Sequence, residues 1–357
     1  MQITTTLNDR AVDDARLTEI LANPGFGVHF TDHMFTAEWT PAAGWHDARI
    51  TPYGPLTLDP ATAVLHYAQE TFEGLKAYRH GDGSIWTFRA GANAARMVRS
   101  SHRLALPVLE ADDFLTAVNA LVAVDQRWVP EQEGEKSLYL RPFMFASERF
   151  LGVRPAQHVT FMVIASPAGS YFPQGIKPVT LWLTTEYTRA GHGGMGAAKT
   201  GGNYASSLVA QQEAYANGCD QVVFLDAQQG TYVEELGGMN LYFVYRDGTI
   251  VTPALGTILE GITRSSIITL AGQLGHKVEE RHFAIDEWRK GVESGDIVEV
   301  FACGTAAVVT PVGELRWDGG STPAPASTEV TMRLRKALVD IQFGRAADTF
   351  GWLERVC

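Results

Sequence analysis

The sequence predicts a chain of two domains built from mixed α and β structure, and three observations carry that reading. Its 357 residues are about twice an ordinary domain of roughly 150. Segments with apolar residues at helical spacing alternate with short runs in period two. A stretch rich in proline and glycine, AGSYFPQGIKP, separates apolar strands as an interdomain linker would. The expected organisation is a smaller N-terminal α/β domain over 1–172, a linker over 173–178 and a larger domain over 179–357. That second domain is strand-heavy, so it reads as α+β or a pseudo-barrel rather than as a doubly wound sheet.

In chain order, Leu56 to Leu75 carries Val64, Tyr67, Ala68, Phe72 and Leu75 at helical spacing and is read as a helix. Phe114, Leu115, Val118, Leu121 and Val122 mark a second helix. Ser137 to Phe145 alternates in period two, which puts Tyr139 and Arg141 on one face and Leu138 and Leu140 on the other. HVTFMVIA at 158–165 is the neighbouring strand. Beyond the linker come the strand VTLWLTT, a glycine-rich loop at 191–202, a helix ending at Asn217-Gly218, and the strands QVVFLD and TYVEEL. LYFVY and TIVTP flank the turn Arg246-Asp247-Gly248 and make a hairpin. LEGITRSSIITLAGQLG is a βα junction, followed by strand DIVEVFA and the loop-like STPAPAST at 321–328. Val330, Leu334, Leu338 and Ile341 then form one stripe of a C-terminal helix.

Composition narrows the function classes. With 45% hydrophobic and 19% charged residues the bulk of the chain is expected to fold rather than remain disordered. A formal charge of −11 repels phosphate backbones, which argues against nucleic acid and anionic membranes as partners. The N-terminal stretch MQITTTLNDRAVDD lacks the marks of a signal or transit peptide, and no apolar run is long enough for a membrane span. Three scattered cysteines, Cys219, Cys303 and Cys357, suit reduced thiols in a cytoplasmic protein better than disulfides or a metal site. Glycine, at 35 residues, is in excess over the usual share of about 7%.

Part of that excess surrounds a single cation. In RAGHGGMGAAKTGGNYA, six glycines flank Lys199. Three readings stand side by side: a flexible loop, a nucleotide P-loop, and a lysine that forms a Schiff base, for which desolvation would lower the amine's pKa. The P-loop pattern fails at one position, because Ala198 precedes the lysine where glycine is required. A Schiff-base lysine needs a carbonyl, most commonly pyridoxal phosphate, and with it a carboxylate for the ring nitrogen and an anchor for the phosphate. Glu235, at a strand end before Gly237-Gly238, is a candidate for the first, although an exposed strand-end acid is the blander alternative. Gly261-Ile262-Thr263-Arg264 opens a helix after a glycine and presents main-chain donors, and Thr305 could add more.

Six ordered segments carry a family resemblance: TDHM at 31–34, TFEGLKAYR at 71–79, LRPFMFASERFLGV at 140–153, AAKTGGNYA at 197–205, VEELGGMNLYFV at 233–244 and ILEGITRSS at 258–266. Together they resemble the motif series of the branched-chain amino-acid aminotransferases, fold-type IV pyridoxal-phosphate enzymes. The resemblance implies an active site between the two domains. It makes Lys199 the catalytic and cofactor-bound lysine, with Tyr204 toward the cofactor's phenolic oxygen and Glu235 toward its ring nitrogen. It assigns the phosphate to Arg96, Ile262, Thr263 and Thr305, against the alternative that Arg96 shares a solvated helix face with Arg99 and Arg103. It places Tyr67, Phe72, Tyr139, Arg141, Tyr171, Gly238, Thr305 and Ala306 around the substrate, Tyr67 coming from the partner subunit of a homodimer. Tyr67 and Phe72 also fit the apolar stripe of the helix over 56–75. Animal members of the family have a threonine in place of Gly238 and a cysteine pair in place of Ala307 and Thr310, so no thiol switch of that type is expected.

The function implied is reversible amino transfer between Leu, Ile or Val and 2-oxoglutarate in a ping-pong cycle. The alternatives are a D-amino-acid aminotransferase or aminodeoxychorismate lyase on the same fold or, from another class, a P-loop nucleotide-binding protein. The expected partners are small-molecule amino and 2-oxo acids and a second copy of the chain.

Overall fold

The computed structural model describes residues 1–169 and 176–357. Its contacts divide the chain into two units, one of Met1–Tyr171, Ala198–Gly201 and Ile341–Cys357, the other of Phe172–Ala197 and Gly202–Asp340. The expected boundary had assigned everything beyond it to the second domain. Two stretches instead cluster with the first, for visible reasons. The Phe72 N–H donates to the Lys199 carbonyl at 3.1 Å, and Leu353–Arg355 adds an edge strand antiparallel to Ile85–Phe88. Residues 173–175 of the expected linker lie outside the described residues.

In the first unit, the described strands run side by side in the order Thr4–Thr5, Gly44–Pro52, His33–Thr40, Val159–Ala168, Ser137–Ala146, Leu75–Arg79, Ile85–Phe88 and Leu353–Arg355. Every neighbouring pair is antiparallel except the first. Ser137–Ala146 shows the expected alternation: Leu138 and Leu140 are fully buried, while Tyr139 and Arg141 face the other way, half-buried. The helix over 111–124 packs Phe114, Val118, Leu121 and Val122 into the core with Phe35, Phe161 and Trp128. That burial is the main stabilising term, at about 25 cal/mol per Å² of apolar surface removed from water.

The helix expected over 56–75 is not formed. Only Val64–Tyr67 is helical, and Ala68, at φ 47° and ψ 33°, ends it in the left-handed region. Glu70–Phe72 then pairs with Phe143–Phe145, and Leu75–Arg79 pairs further along the same strand. The burial pattern explains the error: Thr71 and every residue from Glu73 to Tyr78 are buried, a strand run that includes the polar Thr71, Glu73 and Lys76, which a count of apolar residues does not see. Tyr67 and Ala68, which the helix would have buried, are exposed.

In the second unit the strand order is Val233–Leu236, Gln221–Leu225, Val179–Leu183, Val308–Trp317, Ile297–Gly304, Asn240–Tyr245, Ile250–Pro253 and Val278–Arg281. The two ends of this sheet come back together. The Val233 N–H donates to the Phe283 carbonyl at 2.8 Å and the Ile285 N–H to the Thr231 carbonyl at 2.9 Å, around an isolated bridge between Tyr232 and Ala284. The curl is the pseudo-barrel expected, filled by Leu181, Val223, Leu236, Leu241, Phe243, Phe283 and Trp288. Arg246-Asp247-Gly248 makes the hairpin turn, with Gly248 at φ +87°. Gly261 precedes the helix Ile262–Gln273.

Candidate functional site

In the first unit, four of the expected site residues, Phe72, Arg96, Tyr139 and Arg141, gather around Lys199. The main chain of Lys199 is pinned from both sides: its N–H donates to Ser100 Oγ at 2.9 Å, and its carbonyl accepts from the Phe72 N–H and from Thr71 Oγ1 at 2.8 Å. Glu70 accepts from the Gly201 N–H and, at 3.1 Å, from Thr200 Oγ1. The amine of Lys199 stands 4.7 Å from the centre of the Phe72 ring. Desolvation, with the Arg96 charge second, pushes that amine down to about 8. A lysine so perturbed has a substantial neutral, nucleophilic fraction near physiological pH, as Schiff-base chemistry requires.

Arg141 lies over the same ring, its guanidinium carbon 4.8 Å from the Phe72 centroid, and donates from Nη2 to the Tyr139 hydroxyl at 2.9 Å. Its Nε is buried without a hydrogen-bond partner among the described residues. Arg96 has left the solvated face occupied by Arg99 and Arg103, and is 4% exposed. It meets Glu73 in a two-pronged pair, Nε to Oε1 at 2.8 Å and Nη2 to Oε2 at 2.7 Å. Glu73 is fully buried and also accepts from Asn93 Nδ2 at 2.7 Å. Tyr67 stands apart from this group, its hydroxyl donating to the Leu151 carbonyl and its ring tilted against Phe150. Tyr171 lies outside the described residues.

In the second unit the remaining candidates gather around Glu235, which is buried, not a strand-end acid in solvent. Its carboxylate forms an ion pair with Arg189 Nη2 at 2.9 Å and accepts from the Leu259 N–H at 3.0 Å and from Asn240 Nδ2 at 3.0 Å. Asn240 links it to the helix start, because a Cβ on Gly261 would come within 2.1 Å of Asn240 Oδ1. Only glycine permits that approach. Gly261, the residue before the helix Ile262–Gln273, has no side chain with which to cap it, so the helix start presents main-chain N–H groups and the positive end of the helix dipole. Tyr204 lies beside Gly238, 3.8 Å from where its Cβ would be, and the Gly238 carbonyl in turn approaches Gly304. Thr305 and Ala306 follow directly, both half-buried. Cys303 is buried, and desolvation pushes its thiol up to about 12, which makes it an inert thiol.

The P-loop geometry is absent among the described residues. The strand Val179–Leu183 ends well before the glycine-rich segment, and the helix after Lys199, Gly201–Ala205, is a single turn. Reading for site residues overlooked three side chains: Glu73, Arg189 and Asn240. The two charged ones lie inside segments of apolar or small residues, TFEGL and TRAGHGG, and a charge in such a segment is buried only with a partner. That was the available signal.

The chain matches the family described as Amino-transferase class IV over residues 70–315. It belongs to that family, whose members are pyridoxal-phosphate enzymes. Among its relatives, a probable branched-chain-amino-acid aminotransferase of Streptomyces coelicolor is 59% identical over 345 residues, covering 96% of this chain and 95% of that protein. The crystal structure of the Escherichia coli branched-chain amino acid aminotransferase superposes with a TM-score of 0.76 at 27% identity, covering 91% of this chain and 99% of that one. The branched-chain aminotransferase of the archaeon Thermoproteus uzoniensis, solved with norvaline, also reaches a TM-score of 0.76 at 27% identity, over 91% of this chain and 100% of that one.

The residues present fit pyridoxal phosphate. An amine pushed down to about 8 suits its aldehyde, a buried carboxylate suits its ring nitrogen, and a helix start without a side-chain cap suits its phosphate.

Proposed function

We propose that the chain catalyses reversible amino transfer between Leu, Ile or Val and 2-oxoglutarate, in two half-reactions that share one site. The carrying observation is the cluster of Lys199, Phe72, Tyr139 and Arg141, in which a perturbed amine sits against aromatic walls beside a cation. When bound, pyridoxal phosphate supplies the electron sink that makes the substrate's α-proton removable.

Lys199 Nζ takes that proton and later returns it, and its lowered basicity suits both directions. The Glu235 carboxylate would keep a proton on the ring nitrogen. Arg96, Ile262, Thr263 and Thr305 would hold the phosphate, and Tyr204 would bond the phenolic oxygen. The aromatic surfaces of Phe72 and Tyr139 accept a branched aliphatic side chain. Arg141 and the Tyr139 hydroxyl accept the distal carboxylate of glutamate, the one charged group that distinguishes the second substrate. Thr305 and Ala306 offer N–H groups to the α-carboxylate, Gly238 leaves room beside it, and Tyr67 and Tyr171 complete the pocket. The high identity to the Streptomyces coelicolor relative supports the substrate class.

No helix among the described residues is long and apolar enough to cross a membrane. A cytoplasmic homodimer is part of the same proposal. The test is a substrate panel with 2-oxoglutarate as acceptor, run on protein whose visible cofactor band bleaches with borohydride. Turnover of leucine, isoleucine and valine is expected, and its loss in Lys199→Ala. A chain that binds the cofactor but transfers none of the three amino groups refutes the substrate reading, and turnover by Lys199→Ala refutes the lysine's role.

A further inference from the structure

We propose that Arg189 is a positioning residue that keeps the Glu235 carboxylate ionised, so that the proton shared with the cofactor's ring nitrogen resides on the nitrogen. This rests on the reading of Glu235 as the ring-nitrogen partner, and goes beyond it by naming what makes that carboxylate fit for the task.

Charge balance singles Arg189 out. Two neighbouring carboxyls, Glu234 and Glu235, are both buried, and the Arg189 guanidinium is 5% exposed against them. They are not equivalent. Burial holds the Glu234 carboxyl above its ordinary range, with Arg189 offsetting only part of the effect, and one Glu234 oxygen accepts from Thr257 Oγ1 while the other has no partner among the described residues. The direct ion pair is with Glu235, whose Oε1 stands 2.9 Å from Arg189 Nη2. Nearby, Arg264 pairs with Glu280 at 2.8 Å, the Cys303 thiol is inert, and the Asp226 charge raises the Glu234 carboxyl further. Arg189 is therefore the cation assigned to Glu235.

The placement of Arg189 is itself over-determined. Nη2 also donates to the carbonyls of Thr257 and, at 3.3 Å, Gly196. The two segments carrying those carbonyls are packed so closely that a Cβ on Gly196 would fall 2.0 Å from the Thr257 oxygen.

A carboxylate paired with a guanidinium and hydrogen-bonded to a main-chain N–H and an amide is a weak base, because the cation and each donor favour its charged form. Facing a pyridine nitrogen, a weak base leaves the proton where it is. Without Arg189, the same buried carboxylate becomes the stronger base and draws the proton from nitrogen to oxygen, which removes the positive charge that makes the ring an electron sink.

The experiment uses the full chain reconstituted with pyridoxal phosphate labelled with nitrogen-15 in the ring. Wild type is expected to resonate at the protonated-pyridine position, and Arg189→Gln to shift toward the unprotonated one. Arg189→Lys is expected to match wild type at low pH and to lose the nitrogen's proton at a lower pH than wild type, because a buried ammonium is titratable where a guanidinium is not. A protonated nitrogen in folded Arg189→Gln overturns the proposal. So does an Arg189→Lys profile superimposable on wild type, even if Arg189→Gln yields no folded protein. Glu235→Gln separates the two levels: a nitrogen that stays protonated there means that Glu235 itself is misassigned.

Discussion

Replacing Lys199 by methionine tests the electrostatics of the site without any cofactor. Lys199 carries an amine pushed down to about 8 from an ordinary 10.5, chiefly by desolvation. A shift of that size corresponds to about 3 kcal/mol, at 1.36 kcal/mol for each pKa unit. The sign follows from proton counting. Between pH 8 and 10.5 the unfolded chain holds a proton on this amine that the folded chain has released, so folding stability rises with pH across the window. Below pH 8 both states are protonated and the full cost is present; above 10.5 neither is, and it vanishes.

Methionine fills a similar volume and never charges. Urea unfolding of the cofactor-free proteins at a series of pH values gives the stability difference, from which titrations common to both proteins cancel. Lys199→Met is expected to be more stable relative to wild type near pH 7 than near pH 10.5 by about 3 kcal/mol, with roughly half of that advantage left midway through the window. Any constant offset from packing is irrelevant to the slope. A difference that stays flat between pH 7 and 10.5 refutes the claim that this amine is held in a desolvated, electropositive setting.

Glu73→Ala leaves Arg96 buried without its two-pronged partner, and urea unfolding should show a loss of about 3–5 kcal/mol; a loss below about 1 kcal/mol means that the pair is solvated in practice. Gly261→Ala drives a methyl against Asn240 Oδ1, so it should cost about 1–3 kcal/mol and weaken phosphate binding at the helix start, read as a raised Kd for pyridoxal phosphate; an unchanged Kd would separate Asn240 from the phosphate anchor. At pH 8 a thiol reagent should label exposed Cys357 and leave Cys303 untouched until the chain is denatured, because that thiol is buried and pushed up to about 12; rapid native labelling of Cys303 contradicts the burial.

What the sequence made legible, and what it hid, divides along physical lines. The strand over 137–146 could be read because both of its faces obey one rule, with Leu138 and Leu140 inward and Tyr139 and Arg141 opposite. The stretch 56–75 misled because its buried set includes Thr71 and Glu73, whose burial depends on partners far along the chain: Asn93 and Arg96 for Glu73, and the Lys199 carbonyl for Thr71. The same holds for the site. Lys199 and Glu235 stand out because glycines crowd them, a local signal. Glu73 and Arg189 do not, because what marks a buried ion pair is the meeting of two charges that lie 23 and 46 residues apart in the chain. A buried charge costs several kcal/mol unless it is matched, so each unmatched charge inside an apolar segment states that a counter-charge exists without saying where. In this chain the missing addresses are Arg96 for Glu73 and Glu235 for Arg189. The charges that sequence reading leaves unpaired are therefore the ones that hold the legible residues in place.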